Sequence, residues 1–193
     1  MGGVYLAWFE KGHMVWMLND WHTPFTDSFF LFVTYLGDGG VICALSLLLV
    51  FVQYRIAIAC ANSYLLSGIP VRIFKDWLMA GWPRPKLFYN MDERLLGVEG
   101  VEIHLYNSFP SGHTATAFAF FLVLSLYSHK VNLQITCFFL ALCVGISRVF
   151  LAQHFFEDVY AGSICGVVGG YLSYFVIQKY GKPSWDKRLT LKF

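Results

Sequence analysis

His154 and Asp158 are the residues whose types and spacing first suggest chemistry, because they lie four positions apart beside apolar stretches. On an α-helix this spacing places both side chains on one face. The carboxylate then accepts a hydrogen bond from one imidazole nitrogen and leaves the other nitrogen unprotonated and nucleophilic. An ordinary polar pair on a helix is the alternative interpretation, so the neighbouring residues decide between the two.

Arg148 lies six residues before His154 and directly after Ser147. On one continuous helix Arg148 and His154 would point in clearly different directions. We therefore predict that a helix ends near Phe150 and that a tight turn follows, so that both side chains face one ligand. The planar guanidinium group suits a phosphate because it donates two parallel hydrogen bonds. A boundary arginine that extends its charge towards water is the alternative.

A second candidate segment is Pro110-Ser111-Gly112-His113. Proline and serine are common where a helix begins, so a simple helix cap is one interpretation. A helix N-terminus also offers free backbone N–H groups to an anion, and Gly112 allows a close backbone approach. His113 would then be placed to protonate a leaving oxygen. The residues alone do not show which of the two histidines is the nucleophile and which is the acid.

The composition indicates that a lipid bilayer surrounds much of the chain. The sequence is 57% hydrophobic and only 13% charged, whereas soluble domains usually contain about 25% charged residues. A net charge of +2 gives no indication of nucleic-acid binding. Five apolar segments are long enough to be predicted as membrane spans; they cover residues 28–52, 56–74, 112–128, 132–150 and 158–178.

Residues 4–19 contain Trp8 and Trp16 but are interrupted by charged residues, so we predict a helix lying at the membrane interface rather than a sixth span. On the last predicted span, glycines recur every four residues at 162, 166 and 170, which predicts close helix packing. One domain is expected over residues 1–193.

The distribution of positive charge predicts the orientation of these spans. The connections at 53–55 and 128–130 and the C-terminal tail are basic, so the positive-inside rule places them in the cytoplasm. The connections 75–111 and 151–157 then face the outside, together with every candidate residue named above. Ionisable residues at membrane depth are candidates for function. Lys75 and Arg84 lie on this side too and are predicted to contact phosphoryl oxygens.

These residues resemble the motifs of the type 2 phosphatidic acid phosphatase (PAP2) family, whose fold is shared with vanadium haloperoxidases. The second family motif, Pro-Ser-Gly-His, is present at residues 110–113. The third motif, which is Ser-Arg, five residues, His, three residues and Asp, is complete as Ser147, Arg148, His154 and Asp158. The resemblance implies an all-α polytopic membrane bundle of about five transmembrane helices, with an N-terminal interfacial helix and a PAP2/haloperoxidase-like core.

The first motif of the family departs from its usual spacing. The family has six residues between Lys and Arg-Pro, whereas eight residues separate Lys75 from Arg84-Pro85 here. Arg84 keeps its proline and is assigned to the family position. For the lysine position, Lys75 is the expected residue, and Arg72 and Lys86 are the alternatives.

The resemblance implies a reaction. His154 attacks phosphorus to form a phosphohistidine, Asp158 orients His154, His113 protonates the leaving oxygen, and water releases phosphate. The implied phosphate-binding residues are Lys75, Arg84, Ser111, Gly112, His113 and Arg148. No metal or cofactor is implied. The implied substrate is a lipid phosphate or diphosphate: undecaprenyl pyrophosphate, phosphatidylglycerol phosphate, phosphatidic acid or a lipid A phosphate.

Three other functions are alternatives to a lipid phosphatase. A lipid phosphotransferase would use the same intermediate, and a non-enzymatic transporter or lipid-binding protein would leave the paired histidines unexplained. Haloperoxidases of this fold are expected to be soluble, so the five predicted spans argue against a haloperoxidase. Residues 86–107, with Glu102 and His104 among their polar side chains, are expected to shape the headgroup entrance, and a solvated loop is the alternative. The compact chain suggests a bacterial inner-membrane enzyme.

Overall fold

A computed structural model describes residues 2–190 of the chain. Every regular element in that part of the chain is helical, which confirms the predicted all-α class. The α-helices are α1 (Gly2–Trp8), α2 (His13–Asn19), α3 (Pro24–Tyr35), α4 (Gly39–Leu48), α5 (Tyr54–Ile73), α6 (Pro85–Phe88), α7 (Gly112–Tyr127), α8 (Val131–Phe150) and α9 (Phe156–Tyr180). A π-helical turn, Phe74–Leu78, extends α5.

The bundle is organised around α7, which packs against α5, α8 and α9. Its side chains Phe120 and Val123 are buried in the main apolar core with Val144 of α8. A second apolar cluster joins α2 to the end of α8 through Val15, Leu18 and Phe150. The first cluster fixes the middle of α7 against α8, and the second fixes the last turn of α8 against α2.

Glycines on α9 bring this helix close to α7. A Cβ atom at Gly162 would lie 2.5 Å from the carbonyl oxygen of Ser111, and a Cβ at Gly166 would lie 2.5 Å from that of Ala115. A Cβ at Gly170 would lie 2.8 Å from the carbonyl oxygen of Ala119. Only residues without a side chain allow such an approach, so the predicted close packing is confirmed.

Within residues 2–190, three helical stretches have the length and composition to cross a membrane: Tyr54–Leu78, Val131–Phe150 and Phe156–Tyr180. The span predicted over residues 28–52 is broken into two helices, because Pro24–Tyr35 and Gly39–Phe51 meet at an angle of 62°. If that bent pair is one span, there are four. Helix α7 is apolar but has only 16 residues, or about 24 Å at 1.5 Å per residue.

The chain bends between α3 and α4 because Gly37 and Asp38 favour a break. The side chain of Asp38 caps α4 by accepting hydrogen bonds from Gly40 N at 2.8 Å and Val41 N at 3.2 Å. A Cβ at Gly37 would lie 2.6 Å from the carbonyl oxygen of His113. The bend is therefore packed directly on the first turn of α7.

The N-terminal segment forms two short helices, α1 and α2, where one interfacial helix over 4–19 was predicted. The break occurs at Gly12, whose φ of 85° lies in the left-handed region that favours glycine. Each helix has seven residues, which corresponds to about 10 Å. Neither reaches the length of a membrane span.

Candidate active site

The turn between α8 and α9 brings His154 back towards Arg148. Helix α8 ends at Phe150, as predicted. The backbone carbonyl of Arg148 accepts hydrogen bonds from Gln153 N at 3.0 Å and His154 N at 3.1 Å. Ala152 adopts a φ of 51° within this turn. Because the chain reverses here, Arg148 and His154 face the same space although five residues separate them.

His154 and Asp158 are paired, but not by the helical spacing that was predicted. His154 precedes α9, which begins at Phe156, so the two residues do not share a helix. The carboxylate of Asp158 instead reaches back over the first turn of α9. Its Oδ2 lies 3.3 Å from Nδ1 of His154 and accepts a hydrogen bond from Phe155 N at 2.9 Å. This arrangement leaves Nε2 as the nitrogen of His154 that faces away from the carboxylate.

The segment 110–113 forms the start of α7, as predicted. Ser111 is the N-cap residue, and its hydroxyl accepts a hydrogen bond from Thr114 N at 3.4 Å. Its own backbone N–H donates to the carbonyl of Asp158 over 2.9 Å, which ties the starts of α7 and α9 together. An added Cβ at Gly112 would meet nothing closer than Val71, at 3.8 Å. The backbone at Gly112 is thus open to a ligand.

Arg148 is buried, with 6% of its surface exposed. One of its terminal nitrogens donates to the hydroxyl of Thr34 over 2.6 Å. Its Nε has no hydrogen-bond partner among residues 2–190. A buried guanidinium nitrogen without an acceptor is costly, so this group is suited to binding an anion.

Arg84 is also buried and is held by backbone and side-chain acceptors. Its Nε donates to Tyr106 O at 2.9 Å, and a terminal nitrogen donates to Gln153 Oε1 at 2.9 Å. Burial lowers the pKa of Arg84 below its ordinary value, and the nearby charge of Asp158 opposes that shift. Arg84 therefore has a fixed orientation beside the turn that carries His154.

Lys75 remains the first candidate for the lysine of the first motif despite the long spacing. It lies in the π-helical turn Phe74–Leu78, a form that takes up an extra residue in a helix. Its positive charge is one of those that lower the pKa of His154. The alternative cations are engaged elsewhere: Arg72 pairs with Asp76 at 2.5 Å, and Lys86 donates to the carbonyl of Leu95.

His154 is the centre of this group of charges. Burial lowers its pKa well below the ordinary value, and Arg84, Arg148, Lys75 and His113 lower it further. The imidazole is consequently neutral at neutral pH, as a nucleophile requires. Within residues 2–190, no three His, Cys, Asp or Glu side chains are grouped closely enough to hold a metal ion.

A cavity of about 300 Å³ opens beside His113 and Arg148. Residues from α3, its bend, the long connection and the α8–α9 turn complete its wall: Leu31, Thr34, Tyr35, Asp38, Gly100, Val101, Glu102, His104, Leu151 and Gln153. Part of the predicted entrance thus does line the site. Other polar residues of that connection pair with each other instead, as Arg94 does with Asp92 at 2.6 Å.

Three residues that contact the predicted site were missed. Ser108 donates to Asp158, Thr34 accepts from Arg148, and Gln153 accepts from Arg84. Gln153 also donates to the carbonyl of Glu102 over 3.1 Å and so joins the turn to the long connection. Ser108 and Gln153 could have been found from the sequence, because Ser108 lies just before the 110–113 segment and Gln153 directly precedes His154. Thr34 gave none, because it is far from Arg148 in sequence.

Several proteins of known description are similar to this chain. Probable lipid phosphate phosphatase 4 of Arabidopsis thaliana is 30% identical over 151 residues, which cover 64% of this chain and 48% of the relative. The chain thus spans about half the length of that relative. Lipid A 1-phosphatase of Porphyromonas gingivalis is 38% identical over 72 residues, 36% of this chain and 16% of the relative.

Solved structures share the fold. The crystal structure of Aquifex aeolicus LpxE has a TM-score of 0.75 and 27% identity, with 89% of this chain and 97% of that chain covered. A transmembrane PAP2 type phosphatidylglycerolphosphate phosphatase from Bacillus subtilis has a TM-score of 0.71 and 21% identity, with 89% and 86% covered. Residues 56–182 match the PAP2 superfamily. With its long apolar helices, the chain is an integral membrane protein that belongs to the PAP2 superfamily.

Proposed function

We propose that this protein is a membrane phosphatase that removes phosphate from a lipid phosphate through a phosphohistidine on His154. The observation that carries the proposal is the convergence of three cations on one buried, neutral imidazole. Lys75, Arg84 and Arg148 all act electrostatically on His154. Cations around an unprotonated nucleophile suit a phosphoryl group, because its oxygens carry the negative charge.

The reaction follows from the two nitrogens of His154. Nδ1 faces Asp158 at 3.3 Å, so Nε2 attacks phosphorus and a P–N bond forms. The substrate phosphate binds as an anion beside His113 in its imidazolium form, the bond between phosphorus and the leaving oxygen breaks, and that oxygen takes the imidazolium proton. Water then attacks the phosphohistidine, gives a proton to His113 and releases inorganic phosphate. Arg148, whose Nε has no partner among residues 2–190, and the backbone at Gly112 are proposed to hold the phosphoryl oxygens.

A lipid is the proposed substrate, and the site is proposed to lie at the membrane surface. Trp77 follows the end of α5 and is 84% exposed, and Trp82 lies in the connection that carries Arg84. Exposed tryptophans are typical of the interface between lipid and water. The names of the similar proteins, which include lipid phosphate phosphatases and a lipid A 1-phosphatase, support the same class.

We further propose that residues 1–193 act as one phosphatase domain, with the site outside and the C-terminus in the cytoplasm. The basic C-terminal residues support this orientation by the positive-inside rule. A bacterial inner membrane is the proposed location, so the site would face the periplasm. A reporter that is active only after export should be inactive when fused to the C-terminus, and high activity would reverse the proposed orientation.

The experiment that tests the proposal measures inorganic phosphate released by purified protein from a panel of lipid phosphates. Phosphatidic acid, phosphatidylglycerol phosphate, undecaprenyl pyrophosphate and a lipid A phosphate form the panel. His154→Ala is expected to abolish release while keeping the thermal melting temperature within a few degrees of wild type. His129→Ala is the matched control, because that histidine is exposed in the α7–α8 connection. Full turnover by His154→Ala would refute the nucleophile assignment.

The intermediate is tested separately. Rapid acid-free quenching with a labelled substrate should trap label on His154, and an acid-labile, base-stable adduct is expected. Adding candidate lipid acceptors shows whether water or a lipid receives the phosphoryl group. Transfer of most of the label to an acceptor would make the protein a phosphotransferase.

A further inference from the structure

Asp38 is an acidic residue within an apolar helix pair, and the reaction above gives it no role. It lies at the bend between α3 and α4 and lines the cavity that reaches His113 and Arg148. Only Oδ1 of its carboxylate is used in capping α4. Ionisable residues at membrane depth usually have a function, and the second oxygen is available to this cavity.

The position of Asp38 relative to His113 is fixed by packing. The hydroxyl of Thr116 on α7 donates to the carbonyl of Gly37 over 2.5 Å. Gly37 also meets the backbone of His113 so closely that no Cβ would fit. The bend and the first turn of α7 therefore act as one rigid unit, with Asp38 and His113 on the same cavity wall.

Glu102 supplies a second carboxylate to the same cavity. Its carbonyl accepts from Gln153, so its backbone is anchored to the turn that carries His154. Its side chain is 83% exposed and lies 3.9 Å from the imidazole of His104. The long connection thus presents a carboxylate at the cavity rim while its backbone stays in place.

Charges of both signs line the cavity. Arg148 is one of its lining residues, and its buried Nε has no hydrogen-bond partner among residues 2–190, which indicates where an anionic group binds. Asp38 lies on the side of His113, the proposed donor to the leaving oxygen, because the adjacent Gly37 packs on the His113 backbone, and Glu102 lines the same cavity. The leaving group must occupy that side, because the proton donor has to contact the oxygen that departs.

We infer that Asp38 and Glu102 select phosphate monoesters with an uncharged or cationic leaving group and reject diphosphates. In a diphosphate the leaving group is itself a phosphate, which would place a second negative charge against the two carboxylates. Like charges placed together disfavour the wrong partner and so create specificity. This inference rests on the proposed phosphatase function and narrows its substrate class.

The test compares farnesyl phosphate with farnesyl diphosphate, which share one tail and differ only in the second phosphate. Initial rates at pH 8 give kcat/KM for each, where the phosphate groups are fully ionised because their second pKa is about 6. The ratio of the two values, diphosphate over monophosphate, is the readout. Asp38→Asn with Glu102→Gln removes both charges and keeps both shapes, and asparagine still caps a helix.

The double variant is expected to raise the ratio about tenfold, which corresponds to about 1.4 kcal/mol. Glu10→Gln with Asp20→Asn is the matched control, because these exposed carboxylates line a separate groove at the N-terminal segment. That control should leave the ratio unchanged. If the double variant still hydrolyses farnesyl phosphate and its diphosphate-to-monophosphate ratio is unchanged, the inference about Asp38 and Glu102 is wrong and the proposed phosphatase function stands. If the wild-type protein releases no phosphate from farnesyl phosphate, farnesyl diphosphate or p-nitrophenyl phosphate, the proposed phosphatase function is wrong as well.

Discussion

The hydroxyl of Ser108 donates a hydrogen bond to Oδ2 of Asp158 across 2.5 Å, and both residues are fully buried. The same oxygen accepts from Phe155 N and lies near Nδ1 of His154. The other oxygen, Oδ1, has no partner within residues 2–190. The orientation of the carboxylate, and through it that of the imidazole, therefore depends on one serine that is distant in sequence.

Ser108→Ala is expected to lower kcat about tenfold with little change in KM. The variant removes a hydrogen bond to a charged group, typically worth about 1.5–3 kcal/mol, and each 1.36 kcal/mol in a barrier is about tenfold in rate. Steady-state kinetics measures both constants, and Ser108→Thr should restore part of the rate. Ser163→Ala is the control, because that exposed hydroxyl bonds only to Tyr160 O on its own helix. An unchanged kcat would show that Ser108 does not orient Asp158 for the reaction.

The sequence predicted this site well where the signal was local. The end of α8 at Phe150 and the Ser111 cap of α7 follow from residues within one turn of each helix. The pairing of His154 with Asp158 was predicted from their i, i+4 spacing on one helix, whereas His154 lies before the start of α9. Spacing predicts that two side chains are close, but several backbone paths satisfy the same spacing.

Contacts between distant segments could not be predicted. Thr34 meets Arg148 because α3 packs on α8, and helix pairing cannot be read from one sequence. The bend at Asp38 was missed for a related reason. The 28–52 stretch is mostly apolar, and the break is stabilised by packing of Gly37 on His113, which hydropathy does not report.

Thr34→Val is expected to weaken binding of phosphate analogues by about tenfold. The substitution keeps the side-chain shape and removes the acceptor for Arg148, which lies 2.6 Å away. A buried guanidinium that loses an acceptor costs about 1.5–3 kcal/mol and is less well oriented. The inhibition constant of vanadate, a phosphate analogue, measures the effect. Thr136→Val is the control, since its hydroxyl bonds within its own helix to Asn132 O. Equal vanadate affinity in both variants would contradict this role of Thr34.

Gly166→Ala is expected to destabilise the protein by about 1–3 kcal/mol, the usual cost of overpacking. The new Cβ would lie 2.5 Å from Ala115 O and 2.7 Å from the Cβ of Phe118, so α7 and α9 must separate. Gly68→Ala is the matched control, because a Cβ there meets nothing within 4 Å and alanine favours a helix. Thermal unfolding in detergent should show a lower melting temperature for the first variant and an equal or higher one for the second.

The depressed pKa of His154 predicts a loss of stability in mild acid. Below the ordinary histidine pKa of about 6.5, the unfolded chain binds a proton that the folded His154 does not bind, because its pKa is far lower. Stability from this group therefore falls as pH drops from about 6.5 towards the folded pKa, by up to about 1.4 kcal/mol per pH unit. His154→Gln should flatten the dependence of melting temperature on pH between 7 and 5. Parallel curves for wild type and variant would contradict the shift.

Lys11 links the N-terminal segment to the turn that carries His154. Its ammonium pairs with Glu157 at 3.0 Å and lies 4.3 Å from the ring centroid of Phe155, the residue after His154. Trp82 and Phe88 complete an aromatic surround, with centroids at 5.2 Å and 5.4 Å. A cation enclosed by three rings and a carboxylate holds the segment in place better than an exposed ion pair, because desolvation strengthens the attraction between a cation and an aromatic ring.

Lys11→Met is expected to loosen the N-terminal segment and to lower kcat several-fold. The variant keeps the apolar stem and removes the charge, which is worth about 0.5–2 kcal/mol in cation–π contacts. Hydrogen exchange should accelerate in α2 and in the 151–155 turn, while the core of α7 stays protected. Lys179→Met is the control, because Lys179 makes similar ring contacts at the opposite end of α9, with Phe175 and Tyr180. Faster hydrogen exchange in α2 with an unchanged kcat would contradict the second part of this prediction. It would mean that Lys11 anchors the N-terminal segment but does not position His154, because the turn keeps its geometry without the contact.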